Sequence, residues 1–190
     1  MIRSLPTFTT LATNFPDTVS FPTKKFLDSI GGQVRANLSD AINTCAIRLS
    51  YALNESGAHI RPTAGVHLHK GAPQIVPSTA RHASPATASE QYIFRVADMK
   101  TYLVSRYGKG TLIYDGHDPT EFKVPFLHTT QGIVVFEWIG RWADFNASGH
   151  VDLLRVVLGN GHPPTLIPGC VGHCYWMPGP MLAYLWELRP

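Results

Sequence analysis

Apolar residues recur every three or four positions at Val34, Leu38, Ala41 and Ile42, and again at Ala46, Leu49, Ala52 and Leu53. That spacing puts them on one face of a helix. It predicts a short helix over about 34–40 and a stronger one over about 44–54. Asn43 or Thr44 suits the N-cap of the second helix, and Asn54-Glu55-Ser56-Gly57 reads as its end. Residues 1–29 are mixed and interrupted by proline, and a short element stops at the Gly31-Gly32 pair, which reads as a turn. Tyr92 to Val96 reads as a strand, and 97–107 as a helix with Asp98 near its start and Gly108 at its stop.

The second half changes period. The run from Gly132 to Trp138 is a buried strand, and His150 to Val157 is the next. A turn-rich stretch follows at 158–169, and 174–176 and 183–188 read as the last strands. Residues 61–90 hold four prolines among alanine, serine and threonine, with little periodicity, and read as a long Pro/Ala-rich surface loop. Helices first and strands afterwards argue for an α+β fold, N-terminal helices packed on a C-terminal antiparallel sheet. At 190 residues the expectation is a single domain, 1–190, with 1–24 as an N-terminal extension.

Composition narrows the function. Hydrophobic residues make up 44% and charged residues 15%, the reverse of a disordered chain. The net charge is +3, and the longest basic cluster is the pair Lys24-Lys25, so no nucleic-acid partner is expected. No apolar run approaches the roughly 18 residues of a membrane span, so no membrane insertion is expected. The N-terminal residues lack the apolar core of a secretory signal. Either the protein stays inside or another machine exports it. The cysteines are Cys45, Cys170 and Cys174, an odd count that allows one pair and a free thiol or three free thiols. Cys170 and Cys174 are close enough to pair, and Cys45 is the odd one out.

Cys45 falls in the first turn of its helix. There it faces the positive end of the helix dipole and unpaired N–H groups, which favour a thiolate and offer donors to an oxyanion. A buried free cysteine is otherwise an ordinary small hydrophobe. His150 follows a small-residue turn and opens a strand, a good place for a general base beside a thiol. It is one of nine histidines, and spacing alone does not bring it to Cys45.

Together the two segments resemble the papain-like amidases of the NlpC/P60 type, and more closely the type VI secretion amidase effector 4 family. That family's Cys segment reads Asn-x-Cys-x-x-Arg-x-Ser-x-x-Leu-Asn. Here Asn43, Cys45, Arg48, Ser50, Leu53 and Asn54 fill those places. The Gly31-Gly32 turn, the 92–99 segment, Gly132 to Phe136, Trp142, Gly149-His150-Val151, Cys170-x-x-x-Cys174 and Leu185 to Leu188 follow in the family's order. The resemblance covers roughly 25–188. It implies a papain-like fold and hydrolysis of the D-glutamyl–meso-diaminopimelate amide in peptidoglycan peptide stems. It also implies an antibacterial toxin made in the cytoplasm without a signal peptide, exported by a secretion machine to a rival's periplasm, and a cognate immunity protein as partner. An oxidising periplasm fits a Cys170–Cys174 disulfide.

The expected site is Cys45 as nucleophile and His150 as base, with Trp142, Gly149 and Asn43 at the substrate. The third residue departs from the family pattern. Gly172 stands where the family has an Asp between its paired cysteines, so His173 is the expected orienting residue and Asp152 the alternative. Asp152 shares a strand face with His150, but reaching the ring of so close a neighbour is awkward. The family's Leu-Trp-Asn-Gly after the histidine is replaced by Leu153-Leu154-Arg155-Val156. No metal or organic cofactor is expected. Cys170, His173 and Cys174 lack a distant fourth ligand, and His67 and His69 in a surface loop need no special role. Two other readings stay open: a cell-wall-peptide or partner-binding module without hydrolysis, and a papain-like hydrolase or acyltransferase with a changed substrate.

Overall fold

A computed structural model describes residues 4–40, 43–71, 90–116, 131–142, 147–155, 165–166 and 181–190. Four helices come first: α1 (Phe8–Asn14), α2 (Thr23–Ile30), α3 (Gly32–Asn37) and α4 (Cys45–Glu55). Strands β1 (Leu68–Lys70) and β2 (Gln91–Ile93) pair antiparallel, and α5 (Val96–Tyr107) follows. Strands β3 (Thr111–Gly116), β4 (Gln131–Trp142), β5 (Ala147–Arg155), β6 (Thr165–Leu166) and β7 (Met181–Glu187) form one sheet in the order β3-β7-β4-β5-β6. Every pairing in it is antiparallel. The expected layout of helices followed by an antiparallel sheet is therefore present.

The two strongly periodic helices lie close to where the sequence puts them. α4 runs 45–55 against an expected 44–54, and α5 runs 96–107 and stops at Gly108, whose φ is 88°. The expected helix at 34–40 is the shorter α3, and a separate α2 precedes it across Gly31, whose φ of 63° suits glycine. Beyond the short strands β1 and β6, which fall in expected loop and turn stretches, two elements were not expected. α1 is threonine-rich and carries only Phe8 and Leu11 on its buried face, too weak a period to read. β3 has a register shift between Leu112 and Tyr114, which breaks its alternation.

The principal core joins α1, α4 and α5 to the sheet. Phe8, Leu11, Leu49, Leu53, Met99 and Leu103 meet Ile133, Val135, Val151, Leu153 and Trp186. Residues 1–24, expected as an extension, thus contribute Phe8 and Leu11 to the core, and the Phe8 N–H donates to the Arg189 carbonyl at 2.8 Å. A second cluster packs Phe26, Leu27, Ile30, Val34 and Leu38 against Ile47 of α4 and Tyr92 of β2. α4 is wedged between the two clusters, which explains why nine of its eleven residues are buried. Within the expected 61–90 loop the structure describes β1, while 72–89 lie outside the described residues. So do the expected strand at 174–176 and most of the turn-rich 158–169 stretch.

Candidate active site

Cys45 is the first residue of α4 and is 7% exposed. Its N–H donates to Asn43 Oδ1 at 3.0 Å, so the preceding asparagine holds the backbone donor that the sequence reading had offered to an oxyanion. Thr44 is the N-cap residue by position, but its hydroxyl turns to accept from Arg48 Nε at 2.9 Å instead of capping the helix. Arg48 is buried one turn further on. Its guanidinium donates to the carbonyls of Pro16 (2.9 Å), Asp17 (3.1 Å) and Phe21 (2.7 Å) and lies 4.5 Å over the Phe26 ring. Burial pulls its pKa down, and the charges of Asp17 and Cys45 oppose that. The cation ties the 16–21 segment to the base of the helix that carries Cys45.

The remaining fixed positions of the Cys segment also have structural partners. Ser50 accepts from the Ile93 N–H at 3.0 Å and donates to the Ala46 carbonyl at 2.9 Å. Asn54 donates to the Gln91 carbonyl at 2.9 Å and accepts from the Ile60 N–H at 2.7 Å. Each of these polar side chains, unfavourable inside a helix, satisfies a backbone group of a neighbouring segment.

His150 comes to the site from β5. The β4–β5 register sets Phe136 opposite it, and the two rings stack with centroids 6.4 Å apart. Among the described residues β6 pairs with Leu154 and Arg155, at the other end of β5 from His150. The His150 side chain is hydrogen-bonded to Cys45 of α4. Its Nε2 stands 3.5 Å from Asp152 Oδ2. Burial pushes the imidazole pKa down. The charge of Cys45, the hydrogen bonds to Asp152 and Cys45, and the charge of Asp152 outweigh burial and raise it to about 10. The arrangement favours the protonated form of the His150 ring beside Cys45.

Gly149, assigned to substrate by the sequence, lies opposite Glu137. A Cβ there would stand 2.5 Å from the Phe136 carbonyl oxygen and 3.0 Å from Val96 Cγ1, so close packing demands glycine. The backbone of Trp142 pairs with Ala147 where β4 and β5 approach their connection. His173, Gly172, and the expected Cys170–Cys174 disulfide lie outside the described residues. His67 Nδ1 stands 3.2 Å from Asp98 Oδ2, and His69 Nδ1 stands 3.1 Å from Asn37 Nδ2. Among the described residues no three His, Cys, Asp or Glu side chains are grouped to hold a metal ion. No described helix is long and apolar enough to cross a membrane. The sequence reading missed the 16–21 anchor of Arg48 and the Phe136 stack on His150. The first is made to backbone carbonyls, which leave no side-chain signature, and the second depends on strand register.

A family model described as type VI secretion system amidase effector protein 4 matches residues 42–161, a span that holds both Cys45 and His150. Among solved structures, the effector Tae4 in a Tae4–Tai4 effector–immunity complex from Salmonella Typhimurium is 28% identical, with a TM-score of 0.66, covering 97% of this chain and 99% of that one. The effector Tae4 from Enterobacter cloacae is 26% identical, with a TM-score of 0.64 and full coverage of both chains. Comparison with curated proteins gives no match.

Proposed function

The chain belongs to the type VI secretion system amidase effector protein 4 family, and on that premise we propose that it is a cysteine amidase with a papain-like, NlpC/P60-type fold. Its substrate is the D-glutamyl–meso-diaminopimelate amide of peptidoglycan stems. The observation that carries the reading is the hydrogen-bonded contact between Cys45 at the N-terminus of α4 and His150 on β5.

The chemistry follows from that pair. The Cys45 thiolate attacks the amide carbonyl and forms a tetrahedral oxyanion. The His150 imidazolium gives its proton to the departing diaminopimelate amine, and the C–N bond breaks to leave a D-glutamyl thioester on Cys45. Water then attacks the thioester, with His150 taking the water proton, and the freed glutamyl carboxylate leaves. The oxyanion needs donors, and the Cys45 N–H is one. Asn43 must yield that donor as the substrate carbonyl arrives, which gives Asn43 a place at the substrate. Gly149 serves the same end by letting β5 pack closely behind His150, and Trp142, just before the His strand, is assigned to the peptide stem.

The whole chain acts as one amidase domain, stabilised by a Cys170–Cys174 disulfide in the target periplasm and neutralised at home by a cognate immunity protein. Family membership and the structural likeness to a Tae4 bound to Tai4 support the immunity partner. The test is a digest of diaminopimelate-type muropeptides by the wild type and by Cys45→Ala, read by mass spectrometry. Loss of the stem beyond D-glutamate in the wild type alone is the expected result. Equal cleavage by the variant, or no cleavage by a folded wild type, would overturn the reading.

A further inference from the structure

We propose that Asp152 is the positioning residue of the site, holding the His150 ring toward Cys45 from two places along the same strand. The inference rests on the Cys45–His150 reading and deepens it. Asp152 is 1% exposed on β5 and lies opposite Val134 of β4. Its two oxygens have different fates. Oδ1 accepts the Leu153 N–H at 2.8 Å, which fixes the carboxylate plane. Oδ2 is buried, and among the described residues His150 Nε2 stands beside it at 3.5 Å, at the long end of hydrogen-bond range. A buried carboxylate is costly unless a positive charge answers it. Here the answering charge is the imidazolium.

The geometry explains how so near a neighbour can serve. Residues two apart on a strand project from the same face, so the carboxylate and the ring stand side by side. Phe136 stacks on the ring at 6.4 Å, and Val134 lies opposite Asp152, so the attraction acts in an apolar setting that screens it weakly. Among the described residues, titratable groups that act on His150 include Cys45 from α4 and Asp152 from its own strand. Its neighbour across β4 is Phe136, and α5 packs Val96 against the adjacent Gly149. A histidine and its partner on one strand keep their relation without help from a loop.

The experiment uses the full chain as wild type, Asp152→Asn, Asp152→Ala, His150→Ala and Cys45→Ala. Alkylation of Cys45 by iodoacetamide is followed by peptide mass from pH 5 to 10, together with muropeptide cleavage over the same range. Both Asp152 variants are expected to lose about tenfold or more in alkylation rate at pH 6 and in kcat/KM at neutral pH. Their alkaline limbs should move to lower pH. A role confined to capping the Leu153 N–H would lower the unfolding midpoint and leave both pH profiles in place, and that result overturns the proposal. If the variants do not fold, the wild type decides by NMR. The Asp152 carboxylate carbon is expected to titrate with the same midpoint as the His150 ring, and a carboxylate signal indifferent to that midpoint overturns the proposal. The two readings fail separately: cleavage that survives Cys45→Ala removes the amidase reading, whereas cleavage lost in Cys45→Ala but unchanged in both Asp152 variants removes only this one.

Discussion

Arg48 is a buried cation answered mainly by carbonyl oxygens. Three carbonyls, the Thr44 hydroxyl and the Phe26 ring surround its guanidinium. Truncation leaves those carbonyls without their donor in a dry place. Arg48→Ala is expected to destabilise the fold by about 2–4 kcal/mol in urea unfolding. It should also loosen the 16–21 segment, seen as faster amide exchange there. Gly149 sets a second test. Its missing Cβ keeps β5 against the Phe136 carbonyl, and Gly149→Ala is expected to cost about 1–3 kcal/mol and to slow alkylation of the adjacent site. Cys45 gives the third. If it faces an imidazolium, iodoacetamide should label it near pH 6, and His150→Ala should slow that labelling. Equal labelling of both proteins at pH 6 would sink the ion-pair reading. At this scale the sequence was informative about residue types. It named Cys45, His150, Asn43 and Asp152 and offered Asn43 or Thr44 as the cap, but not that Asn43 takes the Cys45 N–H while Thr44 turns to Arg48.

α4 shows how one element serves two masters. Its apolar residues enter both core clusters, while Ser50 and Asn54 stitch it to β2 and to the chain at Ile60. Ser50→Ala would strand the buried Ile93 N–H, with an expected loss of about 1–3 kcal/mol measured by thermal or urea unfolding. Leu49→Ala, in the principal core, should cost about 2–5 kcal/mol. The helix was legible because its repeat is long and regular and glycine ends it. α1 and β3 were not, for opposite reasons. α1 offers two apolar residues amid threonines, and β3 alternates only until its register shifts. The 34–40 helix was misplaced by a few residues, because Leu38 continues the apolar period after the backbone has left the helix: it is the C-cap, in an extended conformation.

For the molecule as a whole, the pH profile is the sharpest expectation. The His150 pKa is raised above the ordinary imidazole value, so the ring keeps its proton through neutrality and loses it only on the alkaline side. The imidazolium needed for protonating the leaving amine is therefore present at pH 7. The alkaline limb of kcat/KM, which reports the free enzyme, should lie well above pH 7. A profile that falls through its midpoint near pH 6.5 would contradict the thiolate–imidazolium pair. The sequence by itself determined the segments with sustained periodicity, the order of helices before strands, and the chemical character of the residues at the site. Those properties are local, written in spacing and side-chain type. Only the tertiary structure decided that Cys45 of α4 meets His150 of β5, that Phe136 backs His150, and that Asp152 stands beside the ring. Register and packing settle such contacts between distant segments, and a one-residue slip in the β4–β5 pairing would turn His150 to the other face.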